Sequence, residues 1–275
     1  MSQIPPIVDY EWCAAQTGRP LRYADVRWSL ARPDGRADYL AGHIPGAVYV
    51  DLETQLTDPP SPQRGRHPLP QPTLFAQAMR ELGICDDTLV VAYDDCGGLS
   101  AARLVWLLRA CGHPAALLAD GLRGYPGELE SGPVEVAAAE FTASPWPPSL
   151  LADVSEVAEV SQNGGSKGKR RLIDSRAEER YRGEHEPVDA RAGHIPGAIN
   201  APVTEKLSGK KAAALQKRFR KAGLGEGETP LVYCGSGVTA CLNLLLLEKA
   251  GWRGRLYPGS FSQWAADPAR EVEVG

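Results

Sequence analysis

The hexapeptide GHIPGA occurs at residues 42–47 and again at residues 193–198, 151 positions later. A repeat holding both a histidine and a proline is hard to produce by chance, and its neighbours repeat with it. Asp25-Val26-Arg27 precedes the first copy and Asp174-Ser175-Arg176 the second, each acid closing an apolar stretch. Residues 89–93 (LVVAY) match residues 231–233 (LVY). A glycine-bearing turn and a long apolar helix follow each, over 100–111 and 238–250, and each helix ends in a small residue plus glycine. A short strand and a Tyr-Pro-Gly come next, at 125–127 and 257–259. Duplication at this period is a doubled domain, not a solenoid. Each half reads strand, GHIPGA turn, strand, helix, strand, helix, strand. Strands alternating with helices imply an α/β fold, a mostly parallel sheet flanked by helices. The spacing predicts two domains, 1–142 and 150–275. They are joined by residues 143–149 (ASPWPPS), whose three prolines support neither a helix nor a central strand. Residues 61–72 and 183–187 read as surface loops, where function often resides.

Composition narrows the function classes. With 43% hydrophobic and 23% charged residues and a net charge of -4, the chain is an ordinary globular one and not a generic nucleic-acid binder. Residues 167–171 (KGKRR) read as a solvated loop. Residues 1–10 carry no secretory signal, and no apolar run approaches the ~18 residues of a membrane span, so the expectation is a cytoplasmic protein with no membrane partner. None of the six cysteines forms a CxxC pair, which argues against a zinc ribbon or a dithiol redox motif. Cys13, Cys85, Cys111 and Cys241 read as small buried hydrophobes.

Cys234 is different. In residues 233–241 (YCGSGVTAC) it ends a strand, with Gly235 and Gly237 behind it and a helix from about Val238. Ligands of open α/β sheets gather at such strand ends. The glycines let backbone amides turn inward as an anion nest, and the helix adds its positive end. Both favour a thiolate and make Cys234 a nucleophile. A cysteine phosphatase would need an arginine six residues on, where Ala240 stands. The ligand is therefore a smaller anion, such as the cysteine's own modified sulfur. A shift of 139 residues superposes Gly112 on Gly251 and places Asp95 at the position of Cys234, which makes the first half inert. His43 and His194 occur in both halves, so they read as satisfying backbone groups at the turn and not as catalysts.

These motifs, with residues 180–187 (RYRGEHEP) and 257–264 (YPGSFSQW), resemble the tandem-domain rhodanese-like sulfurtransferases over nearly the whole chain. The loop CGSGVT is similar to that of the 3-mercaptopyruvate sulfurtransferases. The resemblance implies two rhodanese-like domains, the second catalytic. It implies a ping-pong reaction through a Cys234 persulfide, with cyanide or a thiol, thioredoxin among them, as acceptor, and with no metal or organic cofactor. Ser236 matches a loop serine that a histidine and an aspartate assist; His67 and Asp51 are the residues it points to. Gly235, Gly237, Val238 and Thr239 would wrap the donor. Arg180 matches the family's substrate arginine, with Arg182 and Arg191 as further cations. Where mercaptopyruvate enzymes commonly carry a second arginine, after the Glu-Pro pair, this chain has Val188. Thiosulfate is the alternative donor, and a non-catalytic sulfur-relay module the alternative of another class.

Overall fold

A computed structural model of the protein describes residues 4–203 and 207–275. The chain forms two compact units. The first comprises Met1–Asp58, Leu69–Trp146 and Lys206–Gly209; the second comprises Pro59–Pro68, Pro147–Glu205 and Lys210–Gly275. Neither unit is a single run of sequence. Residues 59–68 lie in the first half of the chain and belong to the second unit.

The first unit runs β1 (Ile7–Val8), α1 (Tyr10–Ala14), β2 (Leu21–Asp25), α2 (Arg36–Ala41), β3 (Val48–Tyr49), α3 (Leu52–Gln55), α4 (Pro72–Glu81), β4 (Leu89–Tyr93), α5 (Ala101–Ala110) and β5 (Ala115–Leu118). Its sheet has the order β1-β5-β4-β2-β3, and every pairing is parallel. The central strand β4 is buried along its whole length, which is why LVVAY is continuously apolar instead of alternating. Pro72 opens α4 at a position where a missing N–H costs nothing, so the loop predicted over 61–72 ends one residue earlier.

The second unit runs α6 (Val154–Ser161), β6 (Ser166–Lys167), β7 (Arg170–Asp174), α7 (Glu178–Tyr181), β8 (Ile199–Asn200), α8 (Ala212–Lys221), β9 (Thr229–Tyr233), α9 (Thr239–Ala250), β10 (Arg255–Leu256) and α10 (Ser260–Ala266). Strands β10, β9, β7 and β8 pair in parallel, and β6 pairs antiparallel to β7. That last pairing corrects the loop expected at KGKRR. Ser166 faces Arg171 and Lys167 faces Arg170, with Gly168 (φ 61°) in the two-residue turn, a hairpin geometry that requires positive φ. Leu172, Leu231, Tyr233, Phe261 and Trp264 lie in the core of this unit. Helix α9 is apolar around most of its circumference because most of it is buried. Among the described residues, no helix is long and apolar enough to cross a membrane.

The repeated motifs lock onto each other in the same way in both units. Arg27 grips Asp25 bidentately and donates to the carbonyl of Gly42 at 2.7 Å; Arg176 grips Asp174 and donates to the carbonyl of Gly193 at 2.6 Å. The hydroxyls of Tyr93 and Tyr233 accept from the amides of Ile44 and Ile195, each at 3.1 Å. His43 Nδ1 meets the carbonyl of Tyr39 at 2.8 Å, and His194 Nδ1 meets that of Tyr181 at 2.7 Å. Each histidine also stacks on that tyrosine's ring. Asp-x-Arg, GHIPGA and the strand-final tyrosine thus form one structural device, used twice to close the carboxyl end of the sheet.

Candidate active site

Strand β9 ends at Tyr233 and α9 begins at Thr239, with Val238 as its N-cap. The turn between them places Cys234 at 3% exposure, with the amide of Gly237 donating to Sγ at 3.1 Å. Gly237 has φ 81°, and a Cβ there would lie 2.7 Å from the carbonyl oxygen of Pro258. Only glycine meets both demands.

The YPGSFS stretch forms the back of this turn. Ser260 Oγ accepts from the amide of Cys234 at 3.2 Å and donates to the carbonyl of Tyr257 at 3.0 Å. The amides of Phe261 and Ser262 donate to the carbonyls of Cys234 and Gly235. Ser260 is fully buried and carries the one positive φ (52°) of a non-glycine residue among the described residues. Such strain persists only where surrounding bonds over-determine it, and it marks functional sites.

Segment 59–68 contributes side chains to the same turn. Its fit rests on Gly65 (φ 83°), where a Cβ would lie 2.4 Å from the carbonyl oxygen of Gly259. The amide of Arg66 donates to Ser262 Oγ at 3.0 Å, and Gln263 donates to the carbonyl of Gln63. This docking brings His67 Nδ1 to 2.7 Å from Ser236 Oγ, with His67 3% and Ser236 7% exposed.

Cations surround the far side of the loop. A Cβ on Gly235 would lie 3.1 Å from Arg66 Nη2 and 3.4 and 3.5 Å from Arg180 Nη1 and Nη2. Arg66 Nη1 donates to Asp189 Oδ1 at 2.6 Å, and Arg180 Nη2 donates to Asp189 Oδ2 at 3.1 Å and to Glu186 Oε1 at 2.7 Å. Burial opposes the charge on Glu186. The Arg180 guanidinium and the amides of Asp189 and Val188 outweigh it and hold the carboxyl below its ordinary range.

The other expected site residues are placed as follows. Arg182 is half-exposed and pairs with Glu178 and Glu184. Arg191 donates to the carbonyls of Ala265, Arg270, Trp264 and Asp267, capping the end of α10. Asp51 belongs to the first unit, where its carboxylate accepts from the amides of Glu53 and Thr54 as the N-cap of α3. Sequence reasoning had not singled out Arg66, Asp189, Glu186 or Ser260. Glu186 lies within a quoted motif, as Ser260 does, but nothing in one dimension says that residue 66 meets residue 189.

The first unit carries a carboxylate at the turn where the second carries a thiol. Tyr93 and Tyr233 end equivalent strands, and Ala110 and Ala250 end equivalent helices, so Asp94, not Asp95, stands where Cys234 does; the turn of the first unit, residues 94–100 against 234–238, is longer and its helix correspondingly shorter. The Asp94 carboxylate is buried and accepts from the amides of Cys96, Gly98, Ser100 and Ala101 at 2.7–3.0 Å. The nest of the first unit is thus filled by its own anion. Neighbouring Cys96 is pushed up to about 12 by burial and by the Asp94 charge, which disfavours its thiolate at neutral pH.

Comparison with known proteins agrees with this doubled architecture. The model of the rhodanese-like domain matches residues 11–127 and again residues 154–267. A Mycobacterium tuberculosis protein named "Putative thiosulfate sulfurtransferase SseB" is 40% identical, the match covering 94% of this chain and 93% of that one. The 3-mercaptopyruvate sulfurtransferase of Escherichia coli K12 is 36% identical, with 97% of each chain covered. The crystal structure of SseA from Escherichia coli, described as a 3-mercaptopyruvate sulfotransferase, superposes with a TM-score of 0.78 at 34% identity, covering 93% of this chain and 98% of that one. A buried cysteine whose sulfur accepts from the Gly237 amide, a carboxylate ringed by amides at the equivalent turn, and these matches over nearly the full length of the relatives place the chain in the rhodanese-like domain family, with two copies of the domain.

Proposed function

We propose that the protein is a sulfurtransferase that takes sulfane sulfur from 3-mercaptopyruvate onto Cys234 and passes it to a thiol or to cyanide. The Cys234 thiolate attacks the donor's sulfur, and the carbon–sulfur bond breaks with its electron pair left on carbon as pyruvate enolate. The donor's thiol proton must leave sulfur and reach that carbon. The sulfur now on Cys234 is a persulfide anion, and the Gly237 amide and the positive end of α9 favour its charge. A thiolate or cyanide then attacks the outer sulfur and returns Cys234 as a thiolate.

The observation that carries the choice of donor is the His67–Ser236 contact at 2.7 Å, beside the nucleophile. It offers a path for the proton that the enolate needs. Thiosulfate needs none: sulfite leaves as it is. Thiosulfate remains the second reading, favoured by the name of the Mycobacterium tuberculosis relative.

Steady-state kcat/KM with each donor, cyanide being the common acceptor, tests the choice. We expect a preference for 3-mercaptopyruvate, and His67→Ala should lower its kcat by about 10²-fold or more while changing thiosulfate turnover little. Equal losses with both donors would remove the proton-relay role. Cys234→Ser should abolish transfer from either donor with an unchanged far-UV spectrum; retained transfer would overturn the site assignment.

A further inference from the structure

We infer that Arg66 is a donor-binding residue, acting with Arg180 as a two-guanidinium clamp for the donor's carboxylate. The inference rests on the sulfurtransferase reading above and adds how the donor's charged end is held. Its basis is the geometry around Gly235. Arg66 arrives from residues 59–68 and Arg180 from α7, yet both guanidinia converge on Gly235, a loop position that has no side chain. Asp189 makes this convergence tolerable. Its buried carboxylate, 2% exposed, binds Arg66 through one oxygen and Arg180 through the other, so two like charges stand side by side over a shared counter-ion.

The remaining donors of the pair are unequal. Arg180 is committed to Glu186 through Nε at 3.1 Å and through Nη2 at 2.7 Å. Arg66 has Nη1 on Asp189, while its buried Nε has no hydrogen-bond partner among the described residues. A buried guanidinium N–H without an acceptor is costly unless something brings one. A carboxylate at Gly235 supplies that acceptor and meets the planar fork that suits it.

The charge balance points to a single negative charge. Arg66, Arg180 and Arg176 face Asp189, Glu186 and Asp174, so the network is neutral before a ligand enters. A monoanionic carboxylate therefore fits better than a dianion, because it leaves the smaller net negative charge on a network already in balance. Gly235 keeps the approach open: a methyl group there would lie against the guanidinia where the ligand's oxygens belong.

The test is ping-pong kinetics of the full-length protein with Arg66→Gln and Arg66→Lys. For Arg66→Gln we expect the KM for 3-mercaptopyruvate to rise about tenfold or more at a kcat within about threefold of wild type, and Arg66→Lys to fall between the two. Enzyme loaded at saturating donor, desalted, and discharged with dithiothreitol should release its persulfide sulfur at the wild-type rate. Wild-type activity with an unchanged KM in Arg66→Gln would overturn the inference alone. So would a fall in kcat and in persulfide discharge at constant KM, which would show that Arg66 only anchors the segment that carries His67. A wild-type protein that moves sulfur from neither donor would overturn the sulfurtransferase reading and this inference with it.

Discussion

At the scale of the residue, Gly237 answers to two constraints at once: positive φ, and a neighbouring carbonyl where a Cβ would go. Gly237→Ala must break one or the other. We expect it to cost about 1–3 kcal/mol of stability. It should also cost most of the activity, because the N–H aimed at Cys234 Sγ turns with the backbone; chemical denaturation and a transfer assay read the two effects separately. The cysteines show the same dependence on surroundings. Burial pushes Cys13 and Cys111 up to about 11, and Cys96 lies higher still. Native protein treated with iodoacetamide at pH 7.5 should therefore label Cys234 before these three. Their labelling should rise about tenfold per pH unit toward pH 10, as peptide mass mapping would show.

At the scale of the element, Glu186 organises the turn after α7. It accepts from the amides of Val188 and Asp189 and binds both Arg180 and Arg176. Its carboxyl lies below its ordinary range in the folded protein. The stability this contributes is therefore fully present above the unfolded value of about 4.3 and is lost as pH falls through the lower folded value. The Tm gap between wild type and Glu186→Gln should be widest near pH 6 and should shrink toward pH 3. A gap that stays constant would mean that Glu186 acts by packing and not by charge. Arg191 shows how an element claims a side chain. Read from the sequence it is a cation three residues beyond Val188; in the fold its whole guanidinium closes the carbonyl end of α10.

At the scale of the whole molecule, the second unit is completed by a segment from the other half of the chain. Gly65→Ala tests that connection. Its Cβ would collide with the carbonyl of Gly259, and it would have to hold φ 83°. Segment 59–68 would then lose its seat, taking Arg66 and His67 with it. Transfer from 3-mercaptopyruvate should drop at least as far as in His67→Ala, with little change in far-UV circular dichroism. Full activity in Gly65→Ala would show that the seat is not needed for turnover.

Local pattern and the repeat could be read before any folding. The doubled α/β architecture was legible because GHIPGA, Asp-x-Arg and the strand-final tyrosine recur. They recur because each half must close its sheet end with the same set of hydrogen bonds. The turn at Cys234 was legible because a strand end, two glycines and a helix start stand within a few residues of one another. Tertiary structure alone decided the rest. The strand ends and helix ends both set Asp94 as the counterpart of Cys234, one residue from the position that superposing Gly112 on Gly251 picks, because Gly251 is itself the C-cap of α9 whereas Cys111 caps α5 and Gly112 comes after it. KGKRR pairs as a hairpin because β7 offers it an edge. The pairing of Arg66 with Asp189, 123 positions apart, leaves no mark in composition or spacing. Charge recognition depends on distance in space, and chain connectivity fixes that distance only after the fold has closed.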